Sequence, residues 1–132
     1  MLESDWIMRR VQEIASLVAR VMRLAAGGQV ALALDDLAAA RPKLLPIDPT
    51  LIDSVDPASA AALLGPAFNV RTYGRLLALE ADLHVQNGEA ARATRLWTRA
   101  LAMLDLAHAM PGPADAGADA LAASVRERLA RG

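Results

Sequence analysis

The sequence predicts an all-α fold, and composition and periodicity both support it. Hydrophobic residues make up 55% of the 132 residues but aromatic residues only 3%, so the core must consist mainly of Ala, Leu, Val and Met. Ala, Leu, Arg and Met have the highest helix propensities, and β-branched residues are few. Apolar residues recur at spacings of three and four, which is the period of one helix face. A chain of this length closes one core, so residues 1–132 are predicted to form a single helical domain.

The first predicted helix is long and amphipathic. It spans about residues 5–26, with Ser4 or Asp5 suited to cap its N-terminus. At 1.5 Å per residue this helix is roughly 33 Å long. Its apolar stripe consists of Ile7, Val11, Ile14, Val18, Val21 and Ala25.

A glycine pair ends this helix and starts a hairpin. Gly27 and Gly28 supply the left-handed conformation that often terminates a helix. A second amphipathic helix follows at once, from Gln29 to about Ala40, and must therefore fold back antiparallel on the first. Residues 5–40 are the predicted first hairpin.

Residues 41–66 differ from the rest of the chain because they contain five of the seven prolines. This proline spacing rules out one long helix, whereas the apolar content argues against a free linker. We expect a packed connector with one or two short helices. The clearest of these begins at Asp56 and Pro57, as cap and first residue, and ends at Gly65.

The second hairpin is predicted over residues 67–110. Its helices run from about 69 to 87 and from 89 to 110, separated by Gly88, and a Pro-Gly-Pro sequence stops the second one. After a flexible stretch ending near Gly117, residues 118–131 form a last amphipathic helix that caps the stack. The apolar side of that helix carries Leu121, Val125 and Leu129. Its solvent-facing side carries Arg126, Arg128 and Arg131.

The two hairpins can be superimposed in sequence. Gly28 lies 60 residues before Gly88, and Ala40 lies 60 residues before Ala100. Tandem helical repeats of this kind have a period of about 34 residues. The excess corresponds to the proline-rich connector, so the sequence predicts two hairpins of one type separated by an insertion.

The second hairpin resembles the tetratricopeptide motif over Ala81 to about Ala114. Small or apolar residues stand 12, 16 and 19 positions after Gly88, at Ala100, Leu104 and Ala107, and prolines close the unit. Two positions depart from the motif, since His84 stands where it prefers Trp and Ala91 where it prefers Tyr. The resemblance implies two antiparallel helices that approach each other closely.

The order of elements in the whole chain is similar to that of a group of small bacterial proteins with tetratricopeptide-like folds. Those proteins begin with an acidic residue, an aromatic residue and a spaced Ile-Arg-Ile pattern. Here Asp5, Trp6, Ile7, Arg9 and Val11 match it. The group carries no established activity, so this resemblance implies a fold and leaves the function open.

By the tetratricopeptide resemblance, the chain is a non-catalytic protein interaction or assembly module. The positions that line the groove in such domains form a half apolar, half acidic surface here, without the basic clamp that some members use. Such a groove suits an amphipathic helix with basic flanks, from another protein or from a second copy. Two units are fewer than a solenoid needs, so a homodimer through the first helix is expected. The predicted partner-binding residues are Met22, Gln29, Asp82, Val85, Glu89 and Arg92.

Three other hypotheses remain open at this level. A small enzyme or ligand-binding protein would use Glu80 and His84, which lie one helical turn apart. An anion would bind at Arg71, Tyr73 and Arg75, the densest polar cluster. A membrane surface would bind the first helix through its arginines, although Glu13 opposes this.

Bulk properties narrow the functional classes. The net charge of −1 gives no general attraction to nucleic acid. The absence of cysteine excludes disulfides and thiol chemistry. The acidic start lacks the basic residues of a secretory signal, and no apolar run is long enough to cross a bilayer, so a cytoplasmic protein is expected. No cofactor, metal, nucleic acid or membrane partner is predicted.

Overall fold

The computed structural model describes the backbone of residues 2–132 and the side chains from residue 5 onward. In that part of the chain every regular element is a helix, which confirms the all-α prediction. The helices are α1 (Leu2–Ala26), α2 (Val30–Leu44), α3 (Pro49–Asp53), α4 (Pro57–Leu64), α5 (Ala67–Gln86), α6 (Ala90–His108) and α7 (Ala116–Arg131). None of them combines the length and the apolar character needed to cross a membrane.

The turns of the two hairpins have the same geometry. Gly28 and Gly88 both have φ of 78°. The N–H of Gln29 donates to the carbonyl of Leu24 at 2.8 Å, and the N–H of Glu89 donates to the carbonyl of His84 at the same distance. Each turn is a Schellman motif, in which a glycine in the left-handed region satisfies the last carbonyls of a helix. The 60-residue offset therefore relates two turns of equal geometry.

The first hairpin is antiparallel and its helices differ in length. Arg20 on α1 forms an ion pair with Asp36 on α2 at 3.1 Å. Nearer the other end, Arg10 Nη1 donates to the carbonyl of Lys43 at 2.6 Å. The helix α1 begins at Leu2, so the predicted N-cap at Ser4 or Asp5 is wrong; the side chain of Ser4 lies outside the described residues. No glycine or proline in the first residues interrupts a helix, and α1 therefore extends upstream.

The helix α2 continues four residues beyond its predicted end and contains Pro42. The connector therefore begins after Leu44 and not at residue 41. A proline this close to the C-terminus removes only one backbone hydrogen bond from the helix. The last turn is held by burial of Leu44 and Leu45 and by the hydrogen bond from Arg10.

The connector is packed, as predicted, and contains two short helices. Asp48 and Asp56 cap α3 and α4, and each is followed by a proline at the first helical position. The prediction of a helix from Pro57 that ends at Gly65 is confirmed. Apolar side chains anchor the connector to the core, namely Ile52, Ala60 and Leu64.

The central helix is α5, which packs against α6 of its own hairpin and against α1 and α2 of the first hairpin. Its backbone approaches α6 closely at Gly74, where an added Cβ would lie 3.1 Å from the Leu104 side chain. Gln86 at its C-terminus donates to the carbonyl of Ala25 at 2.6 Å. At its N-terminus Phe68 packs against Trp6. Since like ends meet like ends, α5 runs parallel to α1.

The last helix packs on α6 and, less extensively, on α5. It begins at Ala116, two residues earlier than predicted, because Asp115 caps it by accepting from the N–H of Ala118 at 2.9 Å. Gly117 therefore belongs to α7 and does not end a flexible stretch. The apolar side of α7 buries Ala118, Ala122 and Val125.

Candidate functional site

The candidate site is a cleft between α2 and α6 with α5 as its floor. One part has a cavity volume of about 440 Å³ and the adjoining part about 340 Å³, and the two share Arg41, Glu80 and Arg92. We call this concavity the α2–α6 cleft. Its charged lining consists of Arg41, Arg92, Arg95, Arg99, Asp53 and Glu80 in the first part, with Asp35 and His84 in the second.

Helical periodicity places three of these arginines on one stripe of α6. Arg92, Arg95 and Arg99 stand three and four residues apart, so their side chains project from the same face. Arg41 faces them from the last turn of α2, and Asp53 ends the short helix α3. The cleft is therefore assembled from elements that are far apart in the sequence.

A hydrogen-bonded network closes one end of the cleft. Arg41 clasps Asp53 with two bonds, from Nη1 to Oδ2 at 3.1 Å and from Nη2 to Oδ1 at 2.7 Å. The hydroxyl of Tyr73 donates to Asp53 Oδ1 at 2.7 Å. Arg99 Nε donates to the Tyr73 oxygen at 2.9 Å, and its Nη2 to the carbonyl of Ile52 at 2.8 Å. These bonds fix the connector against α2, α5 and α6.

Burial and charge in this network change the ionisation of its members. Burial raises the pKa of Tyr73 to about 12, with a further contribution from its hydrogen bond to Asp53. Burial by itself would raise the pKa of Asp53, but the hydrogen bonds from Arg41 and Tyr73 outweigh it and hold that pKa below its usual value. The guanidinium groups of Arg41 and Arg99 also lie 6.0 and 5.6 Å from the centre of the Tyr73 ring. The network is a neutral phenol between an ionised carboxylate and two cations.

The positive charges of two arginines in the cleft are only weakly balanced by carboxylates of the protein. Arg92 is exposed and its nearest carboxylate is that of Glu89, at 3.8 Å. Arg95 is also exposed, and no carboxylate among the described residues lies within ion-pair distance of it. Since four arginines stand against Asp53 and Glu80 in the larger part of the cleft, that part carries an excess of positive charge. It is suited to bind an anionic group.

His84 borders the cleft and is held between two carboxylates. It is only 4% exposed. Its Nε2 lies 3.3 Å from Glu80 Oε2 and its Nδ1 lies 3.1 Å from Glu89 Oε1. Hydrogen bonds from Asn87 and from His84 lower the pKa of Glu89 below its usual value. The structure thus brings Glu80 and His84 together as the sequence predicts, but both ring nitrogens already have partners inside the protein.

The predicted anion cluster is divided between two surfaces. Arg71 and Arg75 lie one turn apart and both approach Asp115, at 3.4 and 3.0 Å. Tyr73 lies two residues from each and therefore points to a different side of α5, into the network with Asp53. The expectation of one cluster of three residues is wrong, because a spacing of two places helical side chains on different faces. Arg71 and Arg75 share the single carboxylate of Asp115, the cap of α7.

The predicted partner-binding residues do not form one groove. Asp82 and Val85 line a hollow beside α7, whereas Arg92 lines the α2–α6 cleft. Met22 is 60% exposed on α1, and Gln29 is exposed in the turn that follows.

The two acidic residues predicted for that groove have partners within the protein. Asp82 forms an ion pair with Arg128 on α7. Glu89 accepts from Asn87 at 2.8 Å and contacts His84. Both carboxylates therefore already have partners within the protein, and the binding of a basic partner by this surface stays a prediction.

Both tryptophans take part in packing. Trp97 is half-buried against the core, with the Arg128 guanidinium 5.3 Å from its ring centre. Trp6 remains 45% exposed. Its ring packs edge-on against Phe68, with 6.1 Å between the ring centres, and the Arg10 guanidinium lies over the Trp6 ring, 5.2 Å from its centre.

Sequence reasoning did not identify Arg41, Asp53 and Arg99 as site residues. Arg41 lies in the last turn of α2 and Asp53 in the connector, and only the fold brings them to α6. The available signal was the spacing of the three arginines on one face of α6. Within the described residues, no group of three or more histidine or acidic side chains is placed to hold a metal ion.

Comparison with known protein families, with curated proteins and with solved structures finds no match to this chain. Its function must therefore be argued from the geometry of the cleft.

Proposed function

We propose that this chain is a non-catalytic protein interaction module that binds a short segment of a partner protein in the α2–α6 cleft. The observation that carries the proposal is an open concavity of about 440 Å³ that combines apolar floor residues with an excess of arginines. Recognition sites in proteins typically join an apolar surface with a few placed polar groups. The apolar part here includes Leu77 and Leu96.

The architecture supports an interaction module. The structure contains two helical hairpins with equal turns, and the sequence of the second resembles the tetratricopeptide motif, whose domains bind protein segments. In those domains the groove lies along the first helix of each unit. The α2–α6 cleft instead lies between the second helices of the two hairpins, with α5 beneath them. The proposed binding face is therefore specific to this arrangement and does not follow from the resemblance.

An enzyme centred on Glu80 and His84 has less support from the geometry. A general base must reach a proton of the substrate with a free nitrogen or oxygen. His84 is buried, and its two ring nitrogens face Glu80 and Glu89. These contacts serve to join α5 to the turn before α6.

Peptide display tests the proposed site. A library of random linear peptides is selected on the wild-type protein, and the selected peptides are titrated against Leu96→Glu and Leu63→Glu. Leu96 lines the cleft, whereas Leu63 is 41% exposed on α4 and serves as the matched control. We expect binding to be lost in Leu96→Glu and kept in Leu63→Glu. Equal binding to all three proteins, or no selected peptide at all, would overturn the proposal.

A specific observation also favours self-association through the first helix. The 25 residues of α1 exceed the 15 of α2, so its N-terminal part extends beyond the hairpin partner. Four large apolar side chains in that part are 39–60% exposed: Trp6, Ile7, Met8 and Val11. A second copy that packs its own α1 there would cover them.

Light scattering over a concentration series tests this second proposal. We expect a dimer for the wild type, a folded monomer for Val11→Glu and a dimer for Leu32→Glu, a control on the exposed face of α2. A wild type that stays monomeric at every concentration contradicts self-association.

A further inference from the structure

We infer that the segment bound in the α2–α6 cleft is extended and acidic, with two carboxylates at alternate positions on either side of an apolar residue. The inference rests on the proposed function, because it specifies the ligand of the same cleft. It follows from three properties of the cleft. Two of its arginines have no strong ion-pair partner, its arginines already bind the carboxylate of Asp53, and the spacing of the arginines along α6 suits an extended segment.

The first property is charge. Arg92 and Arg95 stand on one face of α6 and point to the same opening, with no strong internal partner. Arginine binds carboxylates through two parallel hydrogen bonds, and the strength of those bonds increases where water is partly excluded. Each of the two guanidinium groups can therefore take one carboxylate from a ligand.

The second property is the internal carboxylate of Asp53. Arg41 holds it in the two-bond geometry, and the Tyr73 hydroxyl adds a third bond. Asp53 belongs to the connector, so the cleft already binds one carboxylate from a chain segment that crosses its end. A ligand segment that enters beside the connector would meet Arg95 and Arg92 in the same way.

The third property is the spacing of the arginines. From Arg92 to Arg95 the helix α6 rises about 4.5 Å at 1.5 Å per residue. In an extended chain alternate side chains point to the same side and stand about 6.6 Å apart, at about 3.3 Å per residue, a separation that two long arginine side chains on neighbouring turns can reach. Two outer carboxylates then face Arg92 and Arg95 on α6, and the middle side chain points the opposite way, towards α2, where Leu34 and Ala38 line the adjoining part of the cleft.

Carboxylates fit the cleft better than nucleic acid phosphates do. Among the residues that line this cavity none is aromatic, so bases have no stacking surface. The net charge of −1 also provides no long-range attraction to a polyanion.

Two capped peptides test the inference, Gly-Glu-Leu-Glu-Gly and Gly-Gln-Leu-Gln-Gly, each with a fluorophore at one end. Fluorescence anisotropy is recorded with the wild type, with Arg92→Glu/Arg95→Glu, and with Arg9→Glu/Arg131→Glu. The last variant carries the same change of net charge outside the cleft. We expect the glutamate peptide to bind the wild type and the control alike, and to bind about tenfold more weakly for each arginine reversed. On the wild-type protein the glutamine peptide should bind more weakly than the glutamate peptide by about tenfold for each carboxylate removed.

Other outcomes separate the inference from the proposed function. If both peptides bind equally and Leu96→Glu weakens both, the cleft is a peptide site but its ligand is not acidic, and only the inference falls. If neither these peptides nor the display-selected ones depend on Leu96, both fall. If a single-stranded oligothymidylate binds the wild type more tightly than the glutamate peptide and loses affinity in Arg92→Glu/Arg95→Glu, phosphate is the ligand and the inference is overturned.

Discussion

The two hairpins have turns of equal geometry but different interiors. The residue that faces the partner helix at the start of the second hairpin is Gly74, and its counterpart 60 residues earlier is Ile14. The residue before the turn is His84 in the second hairpin and Leu24 in the first. A left-handed glycine and the same backbone hydrogen bond therefore fix the geometry of both turns. The side chains along the helices determine how closely the two helices of each hairpin approach each other.

The difference determines where a site can form. The first hairpin is closed by bulky apolar side chains and by an exposed ion pair between Arg20 and Asp36. The second allows close contact of α5 with α6 and presents polar groups, Tyr73 and His84, to the connector and to the turn. The network of Arg41, Asp53, Tyr73 and Arg99 lies where the second hairpin meets the connector and the end of α2.

Replacing Gly74 by Ile, its counterpart in the first hairpin, should have the largest effect. A Cβ at this position would already lie 3.1 Å from the Leu104 side chain. Overpacking a helix contact of this kind costs about 3 kcal/mol of unfolding free energy. Urea denaturation measures it, with Ala39→Ile on the exposed face of α2 as a control for helix propensity. Equal stability of Gly74→Ile and the control would show that the two interiors are not different.

Replacing Tyr73 by Phe removes the hydroxyl that links Asp53 to Arg99. The remaining groups lose a partner at the closed end of the cleft, and we expect a loss of about 2 kcal/mol. Thr94→Val removes an exposed hydroxyl that bonds to the carbonyl of Ala90 and is the matched control. If Tyr73→Phe is as stable as this control, the network does not hold the connector.

The ionisation of Tyr73 gives the same network a pH signature. It is the only tyrosine, so phenolate absorbance reports it alone. The folded pKa of about 12 exceeds the ordinary value of 10.0. A raised pKa means that the stabilisation is complete below pH 10 and is lost as the pH rises towards 12. We expect titration midpoints near these two values in the native protein and in urea; a native midpoint at the ordinary value would contradict burial of the hydroxyl.

The two turn glycines should respond equally. Both have φ of 78°, and an added Cβ would meet no atom within 4 Å at either position. The cost of Gly28→Ala and of Gly88→Ala is therefore conformational, about 1 kcal/mol each, and it should add in the double variant. Thermal unfolding of the three variants measures this. A clear inequality would show that packing around the two turns differs.

The substitution His84→Leu, which copies Leu24 of the first hairpin, should have the smallest effect. Leucine restores an apolar group at a buried position, and the carboxylates of Glu80 and Glu89 are partly exposed and can be hydrated. We expect a change below about 1 kcal/mol. His84→Ala, which leaves a cavity, should cost more. A larger loss in His84→Leu would identify the contacts of the imidazole as a structural requirement of the second hairpin.

Most helices could be predicted because their signals are local. The apolar period, the glycine turns and the cap at Asp56 each depend on residues within one or two turns of each other. Errors occurred where another element decided the outcome. The helix α2 passes Pro42 because Arg10 and buried leucines hold its last turn, and Tyr73 is separated from Arg71 and Arg75 because the connector contributes Asp53 as its partner.

The sequence by itself determined the helical class, the two hairpins and their turns, and the packed connector. These depend on backbone conformation and on periodicity, both of which are read within a few residues. Only the tertiary structure decided that Arg41 and Asp53 meet Tyr73 and Arg99, and that an arginine-rich cleft opens between α2 and α6. Such contacts depend on the relative positions of helices, which are set by the fit of many side chains across the core and not by any local pattern.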